Sequence, residues 1–377
     1  MRVKPAIIVV AIIIFSVAAL PNPLQPLTQA VAGAYFVFLN AACFILFCQL
    51  RFKIDHFSLI YFGCVTLFLY VNFLSYISLS SDVQTWIKRT IGLAYTPLVI
   101  LAMAGVQKRY GDISAIIINC IMWVALFESL SIISLAILYP DTRATNIEGL
   151  LVYSIFLVAG AYFSALRFRH SKSSKYALLY LLFLGSASMT GSRGLTIATL
   201  LPIMLFLKLR PKNILLIAPV IVTAVIFSND IPSIARTIQS SSGDLLTLSA
   251  KFSELGILLQ MFFQSPIIGV GFGLPFQTPF DLEVFTYSHN WIFFALGYGG
   301  ILGVFLHIAP LVFFALKTWQ DKGWLLFLGF IIFYASSTTY TNFKHSIMVA
   351  CVYVIALGFS RQKKSHLGVS RKTKEAH

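Results

Sequence analysis

What most constrains this chain is the recurrence of apolar runs of about 15 to 25 residues from one end to the other. A bilayer core about 30 Å thick takes about 20 apolar residues per spanning helix. Lipid offers no partners to backbone N–H and C=O groups, so such runs must satisfy themselves as helices. The expected fold class is therefore an all-α polytopic membrane protein, not a soluble domain on an anchor. The first run, Pro5 to Leu20, has the length of a secretory leader. No small-residue cleavage site stands out near PNPLQP and many runs follow, so it reads as the first span.

The runs predict about 12 transmembrane helices, at roughly 5–20, 28–49, 57–79, 86–106, 113–138, 150–166, 176–190, 194–208, 213–228, 289–316, 323–341 and 345–360. With the N-terminus inside, about 21 of the 28 Lys and Arg residues fall on cytoplasmic segments, among them Lys108, Arg109, Arg167, Arg169, Lys317 and six in the tail from Arg361. The formal charge of +15 thus has a topological cause, and nucleic acid is not an expected partner. Both termini are then cytoplasmic. The organisation reads as a nine-helix bundle over 1–228, a large outer loop over 229–288 and three C-terminal helices over 289–360. A basic tail, 361–377, is most simply solvated and in reach of anionic membrane lipids.

Within the outer loop, LLTLSAKFSELGILLQMFFQ carries Leu, Phe and Ile at helical spacing. It predicts an amphipathic helix that lies on the membrane surface or packs on the bundle. SPIIGVGFG follows. It is glycine-rich but has no preceding strand, so it reads as a tight turn back to the membrane and not as a dinucleotide fingerprint. The loop ends at His289-Asn290, directly ahead of the apolar run that contains Gly299, Gly300 and Gly303. The five cysteines lie in apolar runs without C-x-x-C spacing and read as small hydrophobes, not as a disulfide or metal set. Neither H-E-x-x-H nor a P-loop is present, so no metal and no cofactor are expected.

Seven cations break the charge rule by falling on the outer side: Lys88, Arg89, Arg143, Arg193, Arg236, Lys251 and Lys344. Each admits two readings, a salt bridge to an acid such as Glu148 or Glu254, or contact with a phosphate or diphosphate. Arg193 leans to function, because MTGSRGLT lies between two apolar runs with little polar around it. Glu128, inside span five, is either a functional acid or one half of a pair across the bundle. His307, five helical turns after His289, reads as a packed helix residue too deep to act with it. His345, at the start of span twelve, could line the same cavity. An outer-face site of His and Arg suits sugar transfer from a lipid diphosphate to an alcohol: imidazole accepts the hydroxyl proton and arginine stabilises the departing diphosphate.

His289-Asn290, nine residues, Gly300, two residues and Gly303 fit the pattern H-[NSQ]-x9-G-x-x-[GTY]. With TGSRGLTIATLLP and SPIIGVGFG, in this order, the chain resembles the bacterial O-antigen ligases and the related O-antigen polymerases, mainly over residues 185–310. The resemblance implies a GT-C-like helical fold with one large periplasmic loop in the bacterial inner membrane. It also implies metal-independent transfer of glycan from an undecaprenyl-diphosphate-linked donor to a lipid A–core or lipid-linked acceptor at the periplasmic face. His289 would then be the catalytic base or acceptor-orienting residue, and Arg193 the diphosphate contact. Substrate would be bound by Asn290, Arg236, Lys251, Arg89, Lys88 and Arg143. Two departures stand: Ile197 occupies the position where Arg-x3-Leu ends, and Lys251 lacks arginine's planar fork. The single large outer loop favours ligase over polymerase. The unequal halves of the chain argue against a twelve-span transporter.

Overall fold

The computed structural model describes residues 4–16, 26–50, 56–77, 83–138, 155–190, 192–206, 245–274, 290–335 and 343–374. Among these there is no strand. The helices are α1 (Pro5–Ser16), α2 (Pro26–Leu50), α3 (His56–Ile77), α4 (Val83–Tyr110), α5 (Ser114–Leu138), α6 (Ile155–Ser171) and α7 (Ser174–Met189). They are followed by α8 (Arg193–Leu200), α9 (Ile203–Phe206), α10 (Leu245–Gln264), α11 (Trp291–Lys317), α12 (Trp324–Ala335) and α13 (Phe343–Lys374). Four helices are long and apolar enough to cross a membrane by length and composition: those over His56–Ser75, Arg89–Tyr110, Ser114–Leu138 and Trp291–Lys317. The expected ninth span and the start of the large loop, 207–244, lie outside the described residues, as do 275–289.

Two helices form the centre. Every residue from Ile347 to Ala356 of α13 and from Ile155 to Leu166 of α6 is buried. A helix apolar on all sides is one surrounded by others, and α13 packs on α4 while α6 packs on α5 and α7. Outward, α3 and α5 present Phe57, Ile60, Leu67, Trp123, Phe127 and Ile137 with large exposed fractions. So much outward apolar surface suits contact with lipid, not water. The chain has the character of a helical membrane protein.

One end of the bundle gathers the cations. Lys4 lies over the Tyr110 ring at 4.7 Å, Arg109 donates to the Gln49 carbonyl, and His170 faces Asp321 at 3.8 Å. Lys108, Arg167, Arg169, Lys172, Lys175, Lys317 and Lys322 occupy the same helix ends and turns. The helices stop there for local reasons. Gly111, at φ 92°, donates to the Gln107 carbonyl and closes α4, and the Asp112 carboxylate accepts from Ser114 N–H to open α5. Helix α13 runs on through Lys374, so the backbone of the expected basic tail is helical as far as that residue.

The segment expected as a single span from 289 to 316 also differs. Helix α11 breaks at Gly300 (φ 62°, ψ −165°) and folds back on itself. The Trp291 and His307 rings lie 4.7 Å apart, whereas an unbroken helix would separate those residues by about 24 Å. The straight-helix argument that kept His307 far from the start of this segment is therefore overturned. His307 is packed, as expected: it is buried and donates from Nδ1 to the Gly303 carbonyl at 2.5 Å.

Candidate functional site

The break in α11 is repaired from elsewhere in the chain. An intact helix would pair Ile301 N–H with the Gly297 carbonyl and Leu302 N–H with that of Tyr298. Here Ile301 and Leu302 donate to the carbonyls of Pro266 and Ile267 at 2.9 and 3.1 Å. In return the Gly297 and Tyr298 carbonyls accept from Val270 and Gly271, both at 3.1 Å. The SPIIGVGFG turn thus supplies the hydrogen bonds the helix lost. Such contact requires bare backbone: a Cβ on Gly269 would lie 2.2 Å from the Tyr298 carbonyl carbon, and one on Gly300 2.4 Å from that of Ile267. Both residues also have positive φ, which glycine alone adopts readily.

Two residues lock this knot. Asn72 on α3, fully buried, donates to the carbonyls of Ile268 and Tyr298, both at 3.0 Å, and accepts from Trp86 Nε1 and Phe272 N–H. Its amide uses both donors and two acceptor positions. Arg89 donates from Nη1 to the carbonyls of Phe272 and Leu274 at 2.9 and 2.8 Å. Its guanidinium lies over the rings of Phe294 and Tyr298 at 5.3 and 4.6 Å. Expected to bind substrate, Arg89 has at minimum the work of clamping this turn. Asn290, also expected to bind substrate, is the N-cap of α11: its side-chain oxygen accepts from Ile292 and Phe293 N–H.

Several helix starts come to one height. Along α6, Val158 meets Gly329 and Tyr162 donates to the Asp321 carbonyl, so α12 runs antiparallel to α6. Gly329 also faces the Ala198 carbonyl and Phe168 stacks on Phe206 at 4.8 Å, so α8 and α9 run parallel to α6. Arg193 lies five residues before Ala198, and Tyr334 five residues after Gly329. Each step is about 7.5 Å in the same direction, so the start of α8 is level with Tyr334. Tyr334 in turn touches Trp291, at the start of α11, and His345, near the start of α13, with ring centroids 5.0 and 5.5 Å apart. The N-terminal ends of α8, α11 and α13 thus sit at one height around the end of α12. Each such end carries roughly half a positive charge from its helix dipole.

Charge at this level is partly balanced within the bundle. Lys344 and Glu128 form an ion pair at 3.0 Å, with side chains 2% and 6% exposed. Of the two readings for Glu128, the pair across the bundle is what is found. Its partner is Lys344, one of the seven cations that the charge rule did not absorb. Glu128 Oε2 is buried without a hydrogen-bond partner among the described residues. His345 meets the Phe333 and Tyr334 rings edge-on and so neighbours Trp291 through Tyr334; the cavity it was expected to share with His289 lies outside the described residues.

His289, Arg143 and Arg236 lie outside the described residues. Arg193 is described as the first residue of α8, and Lys88 and Lys251 as helical backbone in α4 and α10; their side chains lie outside what is described. Helix α10 covers the sequence expected of it and packs on α11, with Leu258 buried and its carbonyl 3.0 Å from where a Gly297 Cβ would stand. Asn72 was missed as a site-forming residue; its one sequence signal is a lone amide in the apolar run LYVNFLSY. Compared with known proteins, the chain matches no family profile and no curated protein sequence.

Proposed function

We propose that the protein is a membrane glycosyltransferase of the O-antigen ligase type. It would move glycan from undecaprenyl diphosphate to a sugar hydroxyl of the lipid A–core at the periplasmic face of the bacterial inner membrane. The observation that carries this reading is the levelling of three helix N-termini, one starting at Arg193, one capped by Asn290 directly after His289, and one bearing Lys344 and His345. Positive helix ends beside an arginine suit a diphosphate leaving group. In the reaction, His289 accepts the proton of the acceptor hydroxyl and the freed oxygen attacks the anomeric carbon. The bond from that carbon to the diphosphate oxygen breaks, and Arg193 with the helix ends takes up the charge that develops. The gathering of cations at the opposite end of the bundle supports a cytoplasmic assignment for that end. The twelve-span layout, the large periplasmic loop over 229–288 and substrate contacts from Arg236, Lys251, Lys88 and Arg143 belong to the same proposal.

The test is the lipopolysaccharide banding pattern of a strain lacking the protein, complemented by wild type or His289→Ala at matched membrane levels. A ligase leaves no O-antigen bands when absent, with polymer accumulating on the lipid carrier. His289→Ala then fails to restore the bands, with transfer down about 10²-fold or more. A single repeat unit still joined to the core in the deletion would assign the protein as a polymerase instead. Full restoration by His289→Ala would remove the histidine from the chemistry.

A further inference from the structure

At the basic end of the bundle, α6, α7, the turn between α11 and α12, and α13 enclose an open pocket of about 380 Å³. Leu166 and Phe359 give it apolar lining, and Arg167, His170, Ser171 and Tyr176 give it polar lining. Two cations lie over the Tyr176 ring, Arg167 at 5.6 Å and Lys175 at 4.9 Å from its centroid. On the same helix end Arg169 has a buried Nη1 without a hydrogen-bond partner among the described residues. Lys172 and Lys322 flank the two turns that border the pocket, both at positive φ. The acid in the lining, Asp321, is engaged twice: its carboxylate by His170 at 3.8 Å and its carbonyl by the Tyr162 hydroxyl at 3.1 Å. Nearby, Trp319 is largely exposed, as an aromatic at a membrane–water boundary would be.

Apolar wall, cationic mouth and position at the ends of membrane helices call for an amphipathic anion. We propose that this pocket binds the phosphate headgroup of an anionic phospholipid, with an acyl chain along Leu166 and Phe359. Basic pockets between transmembrane helices hold acidic headgroups, and each cation near the surface contributes about fivefold in affinity. A phosphodiester accepts hydrogen bonds from Arg167, from the Ser171 hydroxyl and from His170 when it is protonated. The inference concerns the opposite end of the molecule from the proposed transfer site and stands or falls without it.

The test is native mass spectrometry of the full-length protein in detergent, titrated with phosphatidylglycerol, phosphatidylcholine or inorganic phosphate. Wild type retains phosphatidylglycerol in preference to phosphatidylcholine. Arg167→Gln weakens that retention about fivefold, and Ser171→Glu, which brings a carboxylate into the pocket, weakens it at least as much. Lys108→Gln, at the same end but away from the pocket, leaves it unchanged. Equal retention of the two lipids, or a loss with Lys108→Gln as large as with Arg167→Gln, would overturn the site. Displacement of phosphatidylglycerol by inorganic phosphate without any lipid preference would reassign the pocket to the free anion and end the lipid proposal.

Discussion

Helices α3 and α11 were both expected to span a membrane from apolar composition alone, yet they are built differently. Helix α3 runs unbroken from His56 to Ile77, and Gly63 in its middle has nothing within 4 Å of where a Cβ would stand. Helix α11 breaks at Gly300, and its missing hydrogen bonds come from residues 266–271. An unbroken helix satisfies its own backbone, so its glycines are dispensable and its outer face is free to meet lipid. A broken helix inside a bundle depends on distant residues for the same satisfaction, here the 266–271 turn, Asn72 and Arg89. In exchange it brings the start of the helix back beside its own middle, Trp291 beside His307. The polar knot thus sets the helix start against the helix's own middle, where a straight helix would hold the two about 24 Å apart.

The comparison is broken most forcefully at Gly300. Gly300→Ala places a Cβ against the Ile267 carbonyl in a left-handed backbone, and we expect loss of the folded protein from the membrane or a drop of several kcal/mol, about 3 or more, in stability. Normal expression and melting of this variant would show that the fold-back is dispensable. Next comes the ion pair that anchors α13 beside the knot. Glu128→Gln leaves Lys344 buried without its counter-ion and should cost about 3–5 kcal/mol, while the double variant Glu128→Gln/Lys344→Met recovers most of it. Thermal melting in detergent reads both; equal losses in the single and double variants would mean the pair is not what matters. Asn290→Ala removes the cap of α11 and should lower stability by about 1 kcal/mol, with Asn290→Ser restoring it. If Asn290→Ser melts like wild type yet loses transfer activity, Asn290 touches substrate as well as capping the helix. The smallest effect is expected in α3: Gly63→Ala should be neutral or stabilise by up to about 1 kcal/mol, since the space is open and alanine is the better helix former. A destabilisation there as large as at Gly300 would erase the distinction between the two helices.

Much of the local structure was legible in the chain. The 20-residue stretch from Leu245 to Gln264 announced itself by helical spacing, and GVGFG announced a turn by its glycines. Arg193 and Asn290 were identifiable as residues at the edge of apolar runs, and both stand at helix starts. What was illegible was pairing. Glu128 and Lys344 lie 216 positions apart, and nothing local to either names the other. Asn72 looks like a stray amide until the carbonyls of Ile268 and Tyr298 arrive beside it.

The apolar runs, by themselves, determined that this chain is helical and membrane-like, because backbone groups in lipid have no other way to be satisfied. The spread of Lys and Arg announced one basic end, and most cations of the described helices lie there, Arg89, Arg193 and Lys344 being among the exceptions. Only the tertiary structure decided that α11 folds back, that Arg89 and Asn72 serve the turn, and that three helix starts share one height. Those features rest on hydrogen bonds and an ion pair between residues far apart in the chain, and such partners are chosen by packing in three dimensions, which no local pattern encodes.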